Sequence, residues 1–185
     1  MYTENVGLVL GFHGCGKELA YSVITGADDL RAGKNSYDWL GSGVYFWHRD
    51  AKHAQEFAVA RNYEEPSVVG AVIDPKNCLD LRCREGHEII RAAYDIYCKE
   101  RGPAQKDTPF NDDVPPKRNL DYAIIEAACA LNSNTGGTID SVIGTFFEGK
   151  DLYPGSAMRE RRTQICVRNP KCILGYFLPR DEKEL

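Results

Sequence analysis

The sequence predicts a single α+β domain. Its predicted strands are short, its helices are few, and the two do not alternate regularly, which is typical of α+β architecture. The length of 185 residues matches one domain. With 43% hydrophobic and 27% charged residues, the chain has the composition of a soluble globular protein that buries a core of its own.

Hydrophobic patterning locates the elements of the first half of the chain. Residues 6–12 are almost entirely apolar and predict a buried strand. Residues 26–43 are rich in Gly, Asp, Asn and Ser and predict an irregular loop. Asp50 is a suitable N-cap for a following helix. The remaining elements predicted here are a helix over 17–24, a strand over 43–47 and a helix over 51–62.

The second half contains the clearest helical pattern, residues 120–131, whose apolar side chains recur at i, i+3, i+4 and i+7. Residues 102–118 hold four prolines and predict a long exposed loop. Two strands, 67–73 and 78–81, are expected to be joined by a turn at 74–77. The other predicted elements are a helix over 85–99 and strands near 141–147, 163–168 and 172–178, the last two forming a hairpin with Asn169-Pro170 at its turn.

Charge and cysteine content narrow the functional class. A net charge of −4 argues against a generally basic surface that would bind nucleic acid non-specifically. It does not exclude a local basic groove. The seven cysteines are odd in number, lack a Cys-x-x-Cys pair, and follow no signal peptide. We therefore expect reduced, mostly buried thiols in a cytoplasmic protein without a zinc site. No apolar run approaches the about 20 residues of a membrane span.

Three short segments carry candidate chemistry. His13 and Gly14 follow a predicted strand; such a histidine is more often structural, but the glycine would let a ligand approach the backbone. In the strand from Gly41 to Trp47, alternation puts Tyr45 and Trp47 on one face and leaves an aromatic surface for stacking, unless the strand is simply core. Gln164 begins a late strand and says little by itself.

Taken in this order, the segments resemble the catalytic signature of ADP-ribosyltransferases of the poly(ADP-ribose) polymerase and diphtheria-toxin class. That signature is a His-Gly on the first strand, a Gly-x-Gly-[Val/Ile]-Tyr-Phe strand followed by a helix, and a Glu opening a late strand. The matching segments are 12–14, 41–46 and 164–167. The resemblance implies one catalytic domain over 1–185 with a split antiparallel or mixed sheet and flanking helices. The middle segment, roughly residues 84–135, does not align with the better-known members.

The resemblance also implies roles toward NAD+, which would be the co-substrate without a metal. His13 would bind the adenosine ribose, the Gly14 backbone would hold the nicotinamide carboxamide, and Tyr45 would stack on the nicotinamide ring. Gln164 would take the place of the glutamate that contacts the nicotinamide ribose. His13, Tyr45 and Gln164 are therefore the candidate catalytic residues. The implied cofactor-binding set is His13, Gly14, Gly43, Tyr45, His53 and Phe57.

Three departures from the family pattern bear on the reaction. A carboxylate about 4 Å from the developing ribose cation is worth about 4 kcal/mol at an effective dielectric near 20, so losing it slows the step about 10³-fold. Gln164 thus favours transfer of one ADP-ribose over chain elongation. His53 stands where the family has a small hydroxyl residue. Glu56 stands where a second aromatic would cover the nicotinamide, a place that Phe57 could fill after a small register shift.

The acceptor is predicted only by class. In the family, the loop before the last catalytic residue helps to choose the target, and here that loop is 147–156. Arg118, Tyr153 and Arg162 are candidates for contacting an acceptor or phosphate, because arginine forks suit phosphate oxygens; a solvated strand end is the alternative for the arginines. A macromolecular acceptor, protein or nucleic acid, is expected, although the sequence does not choose between these and a small molecule. No membrane partner is expected, and the oligomeric state stays open.

The resemblance thus predicts an NAD+-dependent mono-ADP-ribosyltransferase. The small domain without accessory modules suggests a toxin or defence effector. Two alternatives remain open at this point. One is a catalytically silent module that binds NAD+ or ADP-ribose, suggested by Gln164. The other is an NAD+ glycohydrolase, with water as the acceptor.

Overall fold

The structure is a computed structural model that describes residues 7–33, 35, 37–101, 111–113, 116–134 and 136–180. These residues confirm the α+β class, since they include seven strands in one mixed sheet and four helices. In chain order the elements are β1 (Val9–Gly16), α1 (Lys17–Ile24), β2 (Val44–His48), α2 (Ala51–Ala60), β3 (Pro66–Ile73), β4 (Cys78–Asp80), α3 (Arg84–Arg101), β5 (Asn111–Asp113), β6 (Pro116–Arg118), α4 (Asn119–Asn134), β7 (Ser141–Asp151), β8 (Arg159–Val167), a 3-10 turn (Pro170–Cys172) and β9 (Ile173–Phe177).

The strand order of the sheet is β4-β7-β8-β2-β1-β3-β9, and only the β4–β7 pair is parallel. This order overturns one predicted pairing. Strand β8 pairs with β2 and β7, whereas β9 pairs with β3 at the far edge, so the predicted hairpin over 164–177 is wrong. Strands β3 and β4 are likewise not neighbours. In both cases a turn signal joins the strands in sequence, but the second strand crosses to another part of the sheet.

Helix boundaries agree well with the sequence pattern. The predicted N-cap of α2 is confirmed, since the Asp50 carboxylate accepts a hydrogen bond from the His53 backbone N–H at 2.9 Å. Helix α2 places Ala54 and Ala58 against the sheet, where both are fully buried. Helix α4 extends the predicted 120–131 by about one residue at its start and three at its end.

The buried residues form clusters on the two faces of the sheet. Along β8, Ile165 and Val167 belong to a cluster beneath α1, whereas Cys166 belongs to a cluster beneath α3 and α4. Because alternate residues of a strand point to opposite faces, the two clusters lie on opposite sides of the sheet. A smaller cluster formed by Trp47, Ala54 and Val68 lies under α2.

Some strand boundaries differ from the prediction. Strand β1 runs from Val9 to Gly16 rather than over 6–12, so His13 and Gly14 lie inside it; residues 1–6 are outside the described residues. Strands β7 and β8 are longer than predicted and form a hairpin that includes most of 147–162. Of the predicted loop 102–118, residues 102–110, 114 and 115 are outside the described residues, and the rest forms the β5–β6 hairpin.

All seven cysteines are free, and Cys15, Cys129, Cys166 and Cys172 are buried. Burial raises the pKa of the Cys15 and Cys172 thiols to about 11. These thiols are therefore protonated and unreactive near neutral pH. Among the described helices, none combines the length and apolar character required to cross a bilayer.

Candidate functional site

A cavity of about 750 Å³ opens where β1 and β2 separate. The two strands pair only at Gly11↔His48 and Phe12↔Trp47. Strand β1 stays paired with β3 as far as Gly16, so β1 and β2 diverge beyond Phe12. We call this space the central cavity. Its volume lies within the range of about 300–1,000 Å³ usual for small-ligand sites.

His13 spans the gap between the diverging strands. Its Nδ1 lies 2.8 Å from the Tyr45 carbonyl oxygen. Since a carbonyl only accepts hydrogen bonds, Nδ1 must carry the proton, and Nε2 is left as an acceptor. Burial lowers the pKa of His13, and the bond to the Tyr45 carbonyl opposes this only in part. His13 is thus a neutral ring of fixed tautomer on the border of the cavity.

Tyr45 is held through its hydroxyl group. The oxygen accepts a hydrogen bond from the Leu40 backbone N–H at 2.8 Å, and the hydroxyl donates to the Gly41 carbonyl at 2.9 Å. Burial raises the pKa of Tyr45, so the phenol stays neutral. These two bonds fix the ring against the cavity and also fix the backbone segment that precedes β2.

Gln164 is oriented by a residue from the 26–43 loop. The Trp39 indole Nε1 donates a hydrogen bond of 2.7 Å to the Gln164 Oε1. The indole lies over Gly144, where any side chain would clash with its ring. With its oxygen engaged, Gln164 has its amide N–H groups as the remaining polar function.

Aromatic rings form one side of the central cavity. Trp47 contacts His53 with ring centroids 4.2 Å apart, and it also contacts Phe57 and Phe146 at 6.2 and 6.3 Å. Trp39 adds an edge-to-face contact with Phe146. Glu56 is exposed and does not border the cavity, whereas Phe57 does.

Cations and one buried carboxylate complete the lining. The guanidinium of Arg61 lies over the rings of Tyr37 and Phe57 and donates a hydrogen bond to the Tyr37 hydroxyl. Arg31 and Arg118 also border the cavity. Asp38 is 4% exposed and accepts a hydrogen bond from the Asn35 backbone N–H at 2.8 Å.

The glycine-rich segment before Tyr45 is clamped to α4. The Glu126 carboxylate accepts hydrogen bonds from both terminal nitrogens of Arg168, at 2.6 and 3.1 Å, and from the Ser42 backbone N–H at 2.7 Å. The Ser42 hydroxyl and the Tyr122 hydroxyl lie 2.6 Å apart. Although burial opposes ionisation of Glu126, the Arg168 guanidinium and the Ser42 N–H hold its pKa below the usual value.

Eight of the ten sequence-predicted site residues border this one cavity. They are His13, Gly14, Gly43, Tyr45, His53, Phe57, Arg118 and Gln164. The other two, Tyr153 and Arg162, do not. Tyr153 lies in the turn of the β7–β8 hairpin and is 56% exposed. Arg162 lies on β8, two residues from Gln164 and opposite Phe146, beyond the edge of the cavity.

The two glycines in this set have packing reasons of their own. A side chain at position 14 would clash with the Ala54 carbonyl oxygen of α2. At position 43 it would clash with Cys166 and with the Val167 backbone of β8. The close approach of α2 therefore explains Gly14, and the close approach of β8 explains Gly43, whether or not a ligand also approaches them.

The sequence reasoning missed several residues that border the cavity: Arg31, Tyr37, Asp38, Trp39, Arg61 and Phe146. Four of them, Arg31, Tyr37, Asp38 and Trp39, lie in the loop predicted over 26–43. The signal available in the sequence was the run Tyr37-Asp38-Trp39, two large aromatics flanking a carboxylate inside an otherwise small and polar loop. Large aromatics in such a loop indicate a segment that packs onto the body of the protein.

Comparisons with protein-family models, with curated proteins and with solved structures found no match. Within the part of the chain that the structure describes, no group of three or more His, Cys, Asp or Glu side chains is placed to hold a metal ion.

Proposed function

We propose that the protein is an NAD+-dependent mono-ADP-ribosyltransferase with an ADP-ribosyltransferase-like fold. One observation carries the proposal: His13, Tyr45 and Gln164, from three segments far apart in the chain, border one cavity at the point where β1 and β2 separate. The order of the three motifs in the sequence and the meeting of their residues in one cavity are independent observations. If the motifs resembled the family only by chance, their residues would have no reason to meet.

The lining of the cavity suits a dinucleotide. The His13 Nε2 is an acceptor for a ribose hydroxyl, because Nδ1 donates to the Tyr45 carbonyl. The rings of Tyr45, Trp47 and Phe57 offer surfaces for planar bases. Arg61, whose guanidinium is already oriented by the Tyr37 hydroxyl, is placed to meet a pyrophosphate.

The reaction asks little covalent chemistry of the protein. Nicotinamide leaves NAD+ as a neutral molecule while positive charge develops on the ribose, so the protein must hold the dinucleotide, shelter the departing ring and stabilise the cation. Gln164 contributes its amide to ribose hydroxyls but no charge. We therefore propose transfer of a single ADP-ribose to a protein or nucleic-acid acceptor, in the cytoplasmic setting expected from the free thiols.

Labelled NAD+ added to whole-cell lysate tests this proposal. The lysate is separated into protein and nucleic-acid fractions, and wild type is compared with Tyr45→Ala. Tyr21→Ala is the matched control, since Tyr21 is an exposed tyrosine on α1. We expect label in one fraction for wild type and Tyr21→Ala, with loss of that label for Tyr45→Ala.

The same experiment separates the competing functions. Nicotinamide release without labelled macromolecule indicates an NAD+ glycohydrolase. Binding of NAD+ without release indicates a silent binding module, which the neutral Gln164 amide beside Trp39 would favour. Absence of both binding and release, or equal label with Tyr45→Ala, contradicts the proposed function.

A further inference from the structure

We propose that Asp38 is the general base of the site and takes the proton from the nucleophile that attacks the nicotinamide ribose. This inference rests on the proposed function and deepens it. The family pattern supplied no role for Asp38, and Gln164 leaves the site without its expected carboxylate. Two carboxylates border the same cavity, Asp38 and Asp121 of α4, and Asp38 is the buried one.

The position of Asp38 is the first argument. It borders the central cavity together with His13, Tyr45 and Gln164. It precedes Trp39, which donates to Gln164, and lies two residues before Leu40, which donates to the Tyr45 hydroxyl. Asp38 is thus carried by a short backbone segment that is tied to two candidate site residues, which fixes its location relative to both.

The contacts of Asp38 are the second argument. Its Oδ2 accepts a hydrogen bond of 2.8 Å from the Asn35 backbone N–H, and the Asn35 amide lies 3.3 and 3.4 Å from the two carboxylate oxygens. The amide contacts are long and come from one neutral side chain. A buried carboxylate with such weak support retains acceptor capacity for a proton.

Among the described residues, four charged or titratable groups are found to interact with Asp38. Arg61 of α2 favours the carboxylate, and Tyr37 of the same loop, Tyr45 of β2 and Cys166 of β8 stand near it as neutral groups. Burial is the largest influence and raises the pKa of Asp38 above its ordinary value, with the Asn35 bonds and Arg61 opposing. A carboxylate tuned upward is a better proton acceptor than a solvated aspartate.

In the proposed step, the acceptor displaces nicotinamide from the ribose. The oxygen or nitrogen of the acceptor forms a bond to the ribose carbon while the bond from that carbon to the nicotinamide nitrogen breaks. The electron pair of the broken bond neutralises the pyridinium, and nicotinamide leaves uncharged. The proton of the nucleophile passes to the Asp38 carboxylate and then to solvent. Gln164 holds the ribose hydroxyls and takes no proton.

A purely structural role is the alternative for Asp38, since its Oδ2 closes the turn with Asn35. Asp38→Asn separates the two roles. Asparagine keeps an oxygen to accept from the Asn35 N–H but cannot take up a proton. We expect the variant to keep the thermal midpoint and the KM for NAD+ while its kcat for nicotinamide release in water falls about 100-fold, a usual effect for a lost base.

Azide supplies a readout that a structural role would not move. Because azide attacks without losing a proton, it needs no base. We expect added azide to restore nicotinamide release to Asp38→Asn with formation of the ADP-ribosyl azide. Asp29→Asn, the same change at an exposed position of the same loop, should behave as wild type throughout.

The pH dependence of kcat is a further readout. In wild type, kcat should fall on acidification through a pKa above that of ordinary aspartate, and this acidic limb of the pH profile should be absent from Asp38→Asn.

The outcomes distinguish the two proposals. If wild type releases nicotinamide and Asp38→Asn has the same kcat and pH profile as wild type, the base assignment is overturned. The proposed function is then unaffected. A loss of kcat that azide does not restore also overturns it, since the carboxylate would then act on the ribose or on folding. If wild type neither releases nicotinamide nor binds NAD+, both proposals fall together.

Discussion

Two cavities share the Trp39 indole and Asp121 yet differ in kind. The central cavity contains a histidine of fixed tautomer, a buried carboxylate and several oriented hydrogen-bond groups. The second, about 550 Å³ between α3 and α4, has five aliphatic side chains in its lining, among them Ile90 and Ile124, beside two aromatic and three charged ones. We call it the helix cavity. The two are similar in size, so volume does not distinguish them.

What distinguishes them is how their side chains are held. In the central cavity, backbone carbonyl and N–H groups position His13, Tyr45 and Asp38. In the helix cavity, aliphatic side chains pack and carry no directional bonds. Directed bonds orient reactive atoms, whereas packing supplies stability. Variants in the central cavity should therefore change binding and rate, and variants in the helix cavity should change stability.

The largest effect is expected from Gln164→Glu. Trp39 Nε1 already donates to this side chain and would hold a carboxylate in the same place. A negative charge there stabilises the developing ribose cation by up to about 4 kcal/mol, so nicotinamide release should rise by as much as about 10³-fold. Gln55→Glu, the same change on the exposed surface of α2, is the control. A rate that does not rise would mean that Gln164 is not beside the reacting carbon.

Ile124→Ala tests the helix cavity. Ile124 is 5% exposed and packs in the cluster beneath α3 and α4. Its truncation should lower the free energy of unfolding by about 2–5 kcal/mol while leaving the Kd for NAD+ unchanged. Urea denaturation and titration calorimetry measure the two quantities. A weakened Kd with little loss of stability would reverse the assignment of the two cavities.

His13→Ala and Tyr45→Ala test the central cavity from the binding side. Each should weaken NAD+ binding about 5-fold or more, since one lost hydrogen bond or stacked ring is worth about 1 kcal/mol or more. Titration calorimetry of folded variants measures the change. If both variants bind NAD+ as tightly as wild type, the site assignment is wrong.

The smallest effect concerns the clamp between Glu126 and Arg168. The pKa of Glu126 is lowered in the folded state. Its contribution to the free energy of unfolding is therefore complete above the ordinary glutamate pKa of about 4.3. That contribution is lost as the pH falls through the pKa that Glu126 has in the folded protein. Glu126→Gln should cost about 1–2 kcal/mol at pH 7 and nothing once Glu126 is protonated. Denaturant midpoints across pH 2–8 check this. Glu88→Gln, in an exposed pair with Arg84, should change little at any pH.

The sequence predicted the local elements better than their pairing. Helix α2 was found from its Asp50 cap and α4 from its apolar period, since both signals are contained within the element. The predicted 164–177 hairpin was wrong because a turn signal at Asn169-Pro170 reports only that the chain bends. Whether β9 then pairs with β8 or crosses to β3 depends on side chains more than a hundred residues away.

The candidate site shows the same division. His13, Tyr45 and Gln164 could be picked out by motif, and the arrangement of the sheet brings them to one cavity. Trp39 and Asp38 match no motif and lie in a loop without periodicity, and the hydrogen bond from Trp39 to Gln164 joins residues 125 positions apart. Tyr153 and Arg162 were chosen for their chemistry alone, and the length of the β7–β8 hairpin carries Tyr153 away from the cavity.

The Tyr45 hydroxyl has a consequence for the thermodynamics of association. Its bonds to Leu40 and Gly41 order the segment that carries Asp38 and Trp39 without any ligand. The conformational entropy of arranging this part of the cavity is lost during folding rather than during binding. Occupation of the cavity should therefore require little rearrangement, with a heat-capacity change that reflects contact area alone.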